Sequence, residues 1–201
     1  MLIEKIVSGG QTGVDRGAIE AALERGFPYG GLIPKGRLAE DGIVPEKFDQ
    51  MEVAPRKDYL FRTEWNVVHS DATLIISRKT LIDGAYREEL TGGTLSTQRF
   101  TVSHGMPRLV IFSQDIGKVV EWIAGLAAER GRGIVLNVAG PRESKCPGIQ
   151  ESTKEFIATL LKFVCAADTA AVSAALSAAD SAALCAAVLG EVRGSLGKGE
   201  K

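Results

Sequence analysis

Apolar residues follow two alternating patterns along the chain. Short continuous runs rich in Val, Ile and Leu, at 72–77, 108–112 and 133–140, predict strands covered on both faces, and "LIEKIVS" (2–8) predicts another strand. "YGGLIP" (29–34) predicts another strand and "MEVAP" (51–55) a short one. Between them, apolar positions recur at helical spacing over 15–26, 58–71, 93–105, 115–131 and 147–164. Gly26 stops the first of these helices, and Pro147 stands at the start of the last. Over 58–71 the spacing makes Leu60, Trp65 and Val68 the buried set.

Strand followed by helix, repeated, predicts an α/β fold: a doubly wound, mostly parallel, Rossmann-like sheet with helices on both faces. In such sheets ligands bind beyond the carboxyl ends of the strands. The loops of interest are therefore 8–15, 34–45, 78–93 and 139–147, which are also rich in glycine and charge. Residues 78–90 form a long charged stretch with the character of a lid.

The pattern changes at 166. From there to 189 run six tetrads that each open with two alanines, a composition that predicts a helix. The chain thus divides into a Rossmann-like ligand-binding domain, 1–165, and an Ala-rich helical extension ending in a mobile tail, 166–201.

Composition narrows the function. The 201 residues carry 24 basic and 25 acidic side chains, with no basic excess for nucleic acid or an anionic membrane. No apolar run reaches the ~20 residues of a membrane span, and the N-terminus meets glycine too early for a signal peptide. Cys146, Cys165 and Cys185 have no paired spacing, so neither a disulfide framework nor a CxxC metal site is expected. The expectation is a cytoplasmic protein with no metal ligands of its own.

The densest chemical signal is "SGGQTGVDRG" (8–17). It matches neither the P-loop nor the GxGxxG pattern, yet it has the parts of an anion cradle. Gly9, Gly10 and Gly13 let backbone amides approach a ligand. Gln11 and Thr12 add side-chain donors, and a helix N-terminus follows with Asp15 and Arg16. Asp15 either caps that helix or contacts the ligand. A valine at position 10 is expected to abolish anion binding and spare the fold. Lys35 and Arg37 flank Gly36 in "PKGRLAEDG", as phosphate partners or as part of a solvated turn. Thr91, Gly92, Gly93 and Thr94 resemble an anion nest at a helix start. After the last strand, Gly140, Arg142, Glu143 and Ser144 project above the sheet, with Arg142 suited to phosphate or carboxylate. Arg62 and Asn66 share one helix face, which is read as facing solvent or a subunit contact.

In this order, "SGGQTGVDRGA", "PKGRLAEDG", "RTEWNV", "SDATLII", "LTGGT" and "LNVAGPRES" resemble the molybdenum carrier family over residues 3–163. That family is similar in fold to the lysine-decarboxylase-like phosphoribohydrolases and related nucleotide sensors. The resemblance implies a binding or carrier protein for the molybdenum cofactor (molybdopterin), whose own dithiolene holds the metal. It also implies assembly as a homo-oligomer, dimer or tetramer. Two alternatives stay open: a nucleoside-monophosphate phosphoribohydrolase and a non-catalytic nucleotide sensor. The hydrolases carry a "PGGxGTxxE" segment; "LTGGTLSTQRF" keeps its glycines and Thr94 but lacks the glutamate. No catalytic residue is assigned, with Glu64, Glu143 and Asp15 as the carboxylates available to substitute. The ligand expected in either case is small, anionic and phosphorylated, with a nucleotide possible in place of the cofactor.

Overall fold

A computed structural model describes residues 1–83 and 85–166. The Ala-rich tetrads and the tail, expected to be helical and then mobile, lie outside the described residues beyond Ala166.

In chain order the elements are β1 (Ile3–Val7), α1 (Val14–Glu24), β2 (Tyr29–Gly30), β3 (Leu32–Ile33), β4 (Leu38–Ala39), β5 (Gly42–Ile43), β6 (Glu52–Val53) and α2 (Tyr59–Val68). Then come β7 (Ala72–Ile76), β8 (Thr80–Ile82), β9 (Ala85–Arg87), α3 (Gly92–Ser103), β10 (Arg108–Ile111), α4 (Ile116–Arg130), β11 (Ile134–Ala139) and α5 (Ile149–Ala166). Five strands form one parallel sheet in the order β10-β7-β11-β1-β2. This is the expected Rossmann-like, doubly wound arrangement. The apolar run of β7 is buried at every position, as a strand near the middle of such a sheet requires. α1 packs on α5 and α4 also touches α5, while α2 packs on α3.

Three expectations need correction. Residues 29–34 are not one strand: Gly31, at φ 123°, turns the chain between β2, which joins β1, and β3, which pairs with β6. In the stretch expected to be a lid, β8 and β9 pair as a small antiparallel hairpin, and none of the described residues of 78–90 lines the main cavity. In α2 the buried residues are Arg62, Asn66 and Val67, whereas Leu60 is 54% exposed and Val68 is also exposed. The Arg62–Asn66 face points inward because it meets polar partners there. The Asn66 side-chain amide accepts from Leu32 N at 2.7 Å and donates to Leu32 O at 3.1 Å, standing in for a neighbouring strand.

The sheet register brings two loops together. Val7 lies opposite Asn137, so β1 and β11 end side by side and the loops leaving them are in contact. Val14 N donates to Pro141 O across that junction at 3.2 Å.

Candidate functional site

A cavity of about 460 Å³ opens at the carboxyl ends of β1 and β11, between α2 and the start of α3. Of the residues singled out in the sequence, Gly9, Gln11, Asp15, Thr91, Gly92, Gly93, Thr94, Gly140 and Arg142 line it. The structure therefore brings together one loop after β1, one after β11 and the nest before α3.

The floor is built around an ion pair. Arg62 Nη1 donates to Asp15 Oδ2 at 3.1 Å, with side-chain exposures of 11% and 9%. Arg62 reaches this position across Gly9. A Cβ on residue 9 would overlap the guanidinium and come within 2.6 Å of Asp15 Oδ2. Burial pushes the Asp15 carboxyl above its ordinary range, against the opposing pull of Arg62 and of the Gln11 amide. Arg62 Nε is buried without an acceptor among the described residues. Buried Asn137 also lines the cavity, and its Nδ2 donates to Thr73 Oγ1 at 3.2 Å.

The nest before α3 is built differently. Thr91 precedes the helix in extended conformation and its hydroxyl does not cap it. The first amides of a helix have no intrahelical acceptor, and those of α3 start at the cavity wall. Nothing lies within 4 Å of a Cβ placed on Gly93, so the protein's own packing does not require glycine there. At the mouth stand the exposed side chains of Arg142 and Lys145, and Arg142 lies 5.6 Å above the Tyr59 ring. Tyr59 and exposed Leu60 form an apolar lip.

The remaining candidates sit elsewhere, and each has a local reason. Three amides around the start of α1 have protein partners: Thr12 N donates to Gln11 Oε1, Gly13 N to Gln150 Oε1 and Val14 N to Pro141 O. Those three amides of the expected cradle thus have protein partners, while Gly9 and Gln11 of the same loop line the cavity. Gly10, at φ 69°, faces Ile33, whose Cγ2 lies 2.8 Å from a Cβ placed there, so Gly10→Val would damage the fold instead of sparing it. Arg16 is buried and paired with Asp41. Arg37 donates to the carbonyls of Val44, Pro45 and Phe48 and staples its own loop. Lys35 is exposed and away from the cavity. Glu143 accepts from Gly148 N and Gln150 N at the start of α5.

Ser144 and Thr12 both bond Glu40. Burial raises the Glu40 carboxyl, but the hydrogen bonds from Ser144 and Thr12 outweigh it and hold the group below its ordinary range. Glu40 thereby ties the loop that carries Arg142 to the loop after β1. Glu64 pairs with His104 on the outer surface, 2.7 Å apart. Asp15 is thus the carboxylate of the cavity wall among the described residues.

A model of the circularly permutated YpsA SLOG family matches residues 6–161. The chain belongs to this family. Among solved structures, this SLOG chain is 41% identical to a protein from Syntrophus aciditrophicus SB whose crystal structure bears the name "Putative molybdenum carrier protein". The match has a TM-score of 0.68 and covers 80% of this chain and 96% of the other. No curated protein matches the chain significantly. The matched residues of the SLOG family take in every cavity-lining residue, from Gly9 to Lys145.

Sequence reasoning noticed Arg62 and Asn66 without assigning them to a site, and it did not single out Asn137 or Lys145 as site residues. A readable signal existed for Arg62. An arginine and an asparagine four apart on a helix that packs over a sheet need a polar partner inside, and the glycines at 9–10 offered the space.

Proposed function

We propose that this chain is a binding or carrier protein for a small, anionic, phosphorylated heterocycle, with the molybdenum cofactor as first candidate and a nucleotide as the alternative. One observation carries the reading. An uncapped helix start, Gly92–Gly93–Thr94, opens at a cavity lined by Arg62, Arg142 and Lys145 against one carboxylate among the described residues, that of Asp15. A phosphoryl group at that helix start meets unpaired amides and the positive end of the helix dipole. Arg142 and Lys145 neutralise its charge from the mouth. The volume, about 460 Å³, suits a ligand of this size. Tyr59 and Leu60 supply a surface for a flat ring.

The molybdenum cofactor fits this donor set. Gly92, Gly93, Thr94, Arg142 and Lys145 would hold its phosphate, and the polar floor would face its pterin. Among the described residues no cluster of three or more His, Cys, Asp or Glu is placed to hold a metal ion, so the metal would stay on the ligand's own dithiolene. The name of the crystallographic relative points to the same cargo.

The same reading keeps residues 1–165 as the ligand-binding unit of a cytoplasmic homo-oligomer, with 166–201 as its extension. Exposed Leu60 on α2 and Val102 on α3 support an assembly face. Among the described residues no helix is long and apolar enough to cross a membrane.

A second reading, nucleoside-monophosphate hydrolysis, is favoured by the presence of Asp15 in the cavity wall and weakened by its engagement with Arg62. One experiment separates the two. The full-length chain is purified, its absorption spectrum and molybdenum content are measured, and it is then incubated with inorganic phosphate and with adenosine 5′-monophosphate. Co-purified pterin with molybdenum, or saturable phosphate binding without turnover, supports the carrier. Release of free adenine supports the hydrolase. Absence of any anion binding overturns both.

A further inference from the structure

The cavity has two chemically different ends. Its mouth carries the cations Arg142 and Lys145 and the start of α3. Its floor carries Arg62 and Asp15 side by side, both buried, and buried Asn137 lines the same cavity. The floor pair is only partly used by the protein. A guanidinium has five donors and a carboxylate about four acceptor positions. One contact, Nη1 to Oδ2 at 3.1 Å, joins them. The Gln11 amide reaches the carboxylate as well. Arg62 Nη2 meets no protein acceptor among the described residues, and Asn137 Oδ1 meets no donor.

A donor adjoining an acceptor, both fixed by burial, has a definite complement. The ligand edge must present an acceptor and then N–H donors in line. A ring carbonyl followed by a ring N–H and an exocyclic amino group has that order. Guanine carries this edge, and so does a 2-amino-4-oxo pterin. Adenine does not, because its amino group stands where the carbonyl should be. Resting on the phosphorylated-heterocycle reading, we infer that the Arg62–Asp15 pair reads the carbonyl–imino–amino edge of a guanine- or pterin-type ring. Arg62 takes the carbonyl, Asp15 takes the N–H and amino donors, and the phosphate remains at the mouth.

Asp15 is then the specificity-determining residue, and Arg62 also orients its carboxylate. The placement of charge supports this division. A phosphate at the floor would lie against the Asp15 carboxylate and be repelled, whereas the mouth carries positive charge alone among the described residues.

The test is a calorimetric comparison of guanosine, inosine and adenosine 5′-monophosphates on the full-length chain, with inorganic phosphate as a fourth probe. Inosine keeps the carbonyl and ring N–H and lacks only the amino group. The guanine nucleotide is expected to bind about tenfold or more tighter than the inosine nucleotide, and the adenine nucleotide more weakly than both, because a site built for a donor is left with an unpaired buried acceptor. In Asp15→Asn the preference for guanine over hypoxanthine falls to within about threefold, while inorganic phosphate binds as before or better. Equal binding of the three nucleotides by the unmodified chain overturns this inference alone, even if Asp15→Asn does not fold. Failure of phosphate and all three nucleotides to bind overturns the anion-site reading together with it.

Discussion

The guanidinium of Arg62 occupies the space that a side chain on Gly9 would fill, and from there it meets the buried carboxylate of Asp15. Gly9 is thus a glycine because α2 sends an arginine through its position. Gly9→Ala is expected to displace Arg62, strand Asp15, and lower stability by about 2–4 kcal/mol. Urea denaturation at neutral pH measures the loss. A wild-type midpoint in the alanine variant would show that Arg62 does not hold this place in solution.

The pair itself makes a second, sharper prediction. Removing one member of a buried ion pair costs about 3–5 kcal/mol, because the other charge is left without a partner. Arg62→Met therefore destabilises strongly. Adding Asp15→Asn to it removes the stranded charge and returns about 2–4 kcal/mol of that loss. The double variant should unfold at higher denaturant than Arg62→Met alone. Additive losses would mean that the two side chains are not coupled.

Gly93 predicts the opposite separation of stability from binding. A methyl group there meets no protein atom within 4 Å. Because alanine favours a helix over glycine, Gly93→Ala should raise stability by about 0.5–1 kcal/mol. The same methyl group stands at the cavity wall, where the proposed function seats the anion, so affinity for inorganic phosphate should fall at least about tenfold. Calorimetry and thermal unfolding on one preparation check both halves. Unchanged phosphate affinity would remove this helix start from the site.

At the other end of the sheet, Asp71 predicts how the fold responds to acid. Its carboxylate accepts from Arg130 Nε at 3.1 Å, from Arg132 Nη2 at 2.8 Å and from Val135 N at 2.8 Å. Burial raises its pKa, but the bonds from Arg132, Val135 and Arg130 outweigh that and hold it below the ordinary value of 3.8. A depressed folded-state value means that the stabilisation is present in full above the unfolded-state value and is lost as pH falls through the folded one. Asp71→Ala should cost about 2–3 kcal/mol at pH 7. Its deficit against the unmodified chain should shrink as the pH is taken below 3.8. A deficit constant from pH 7 to pH 2 would assign the effect to packing.

Much of this molecule was legible in the sequence, and the gaps have physical causes. β7 and β11 announce themselves because strands covered on both faces need unbroken apolar runs, and their burial leaves no other reading. Asp15, Arg142 and the glycine pair at 92–93 were visible as charge and glycine at strand ends. α2 was read inside out. An amphipathic helix is assigned by sending its apolar stripe inward, but the inner face of α2 looks onto a polar cavity and onto the backbone of Leu32, so Arg62 and Asn66 turn in and Leu60 turns out. An anion seat was read at both helix starts, 9–13 and 91–94. Periodicity marks both α1 and α3 as helix starts after glycines, and nothing local says that Gln150 will fill the first of them.

That distant glutamine has a consequence for how the chain is made. The amide it satisfies belongs to Gly13, which leaves the ribosome long before residue 150 does. Until the final helix is synthesised and docks, the Gly13 amide lacks the acceptor that Gln150 gives it in the finished fold. Completion of the polypeptide is therefore what supplies the last partner for that turn.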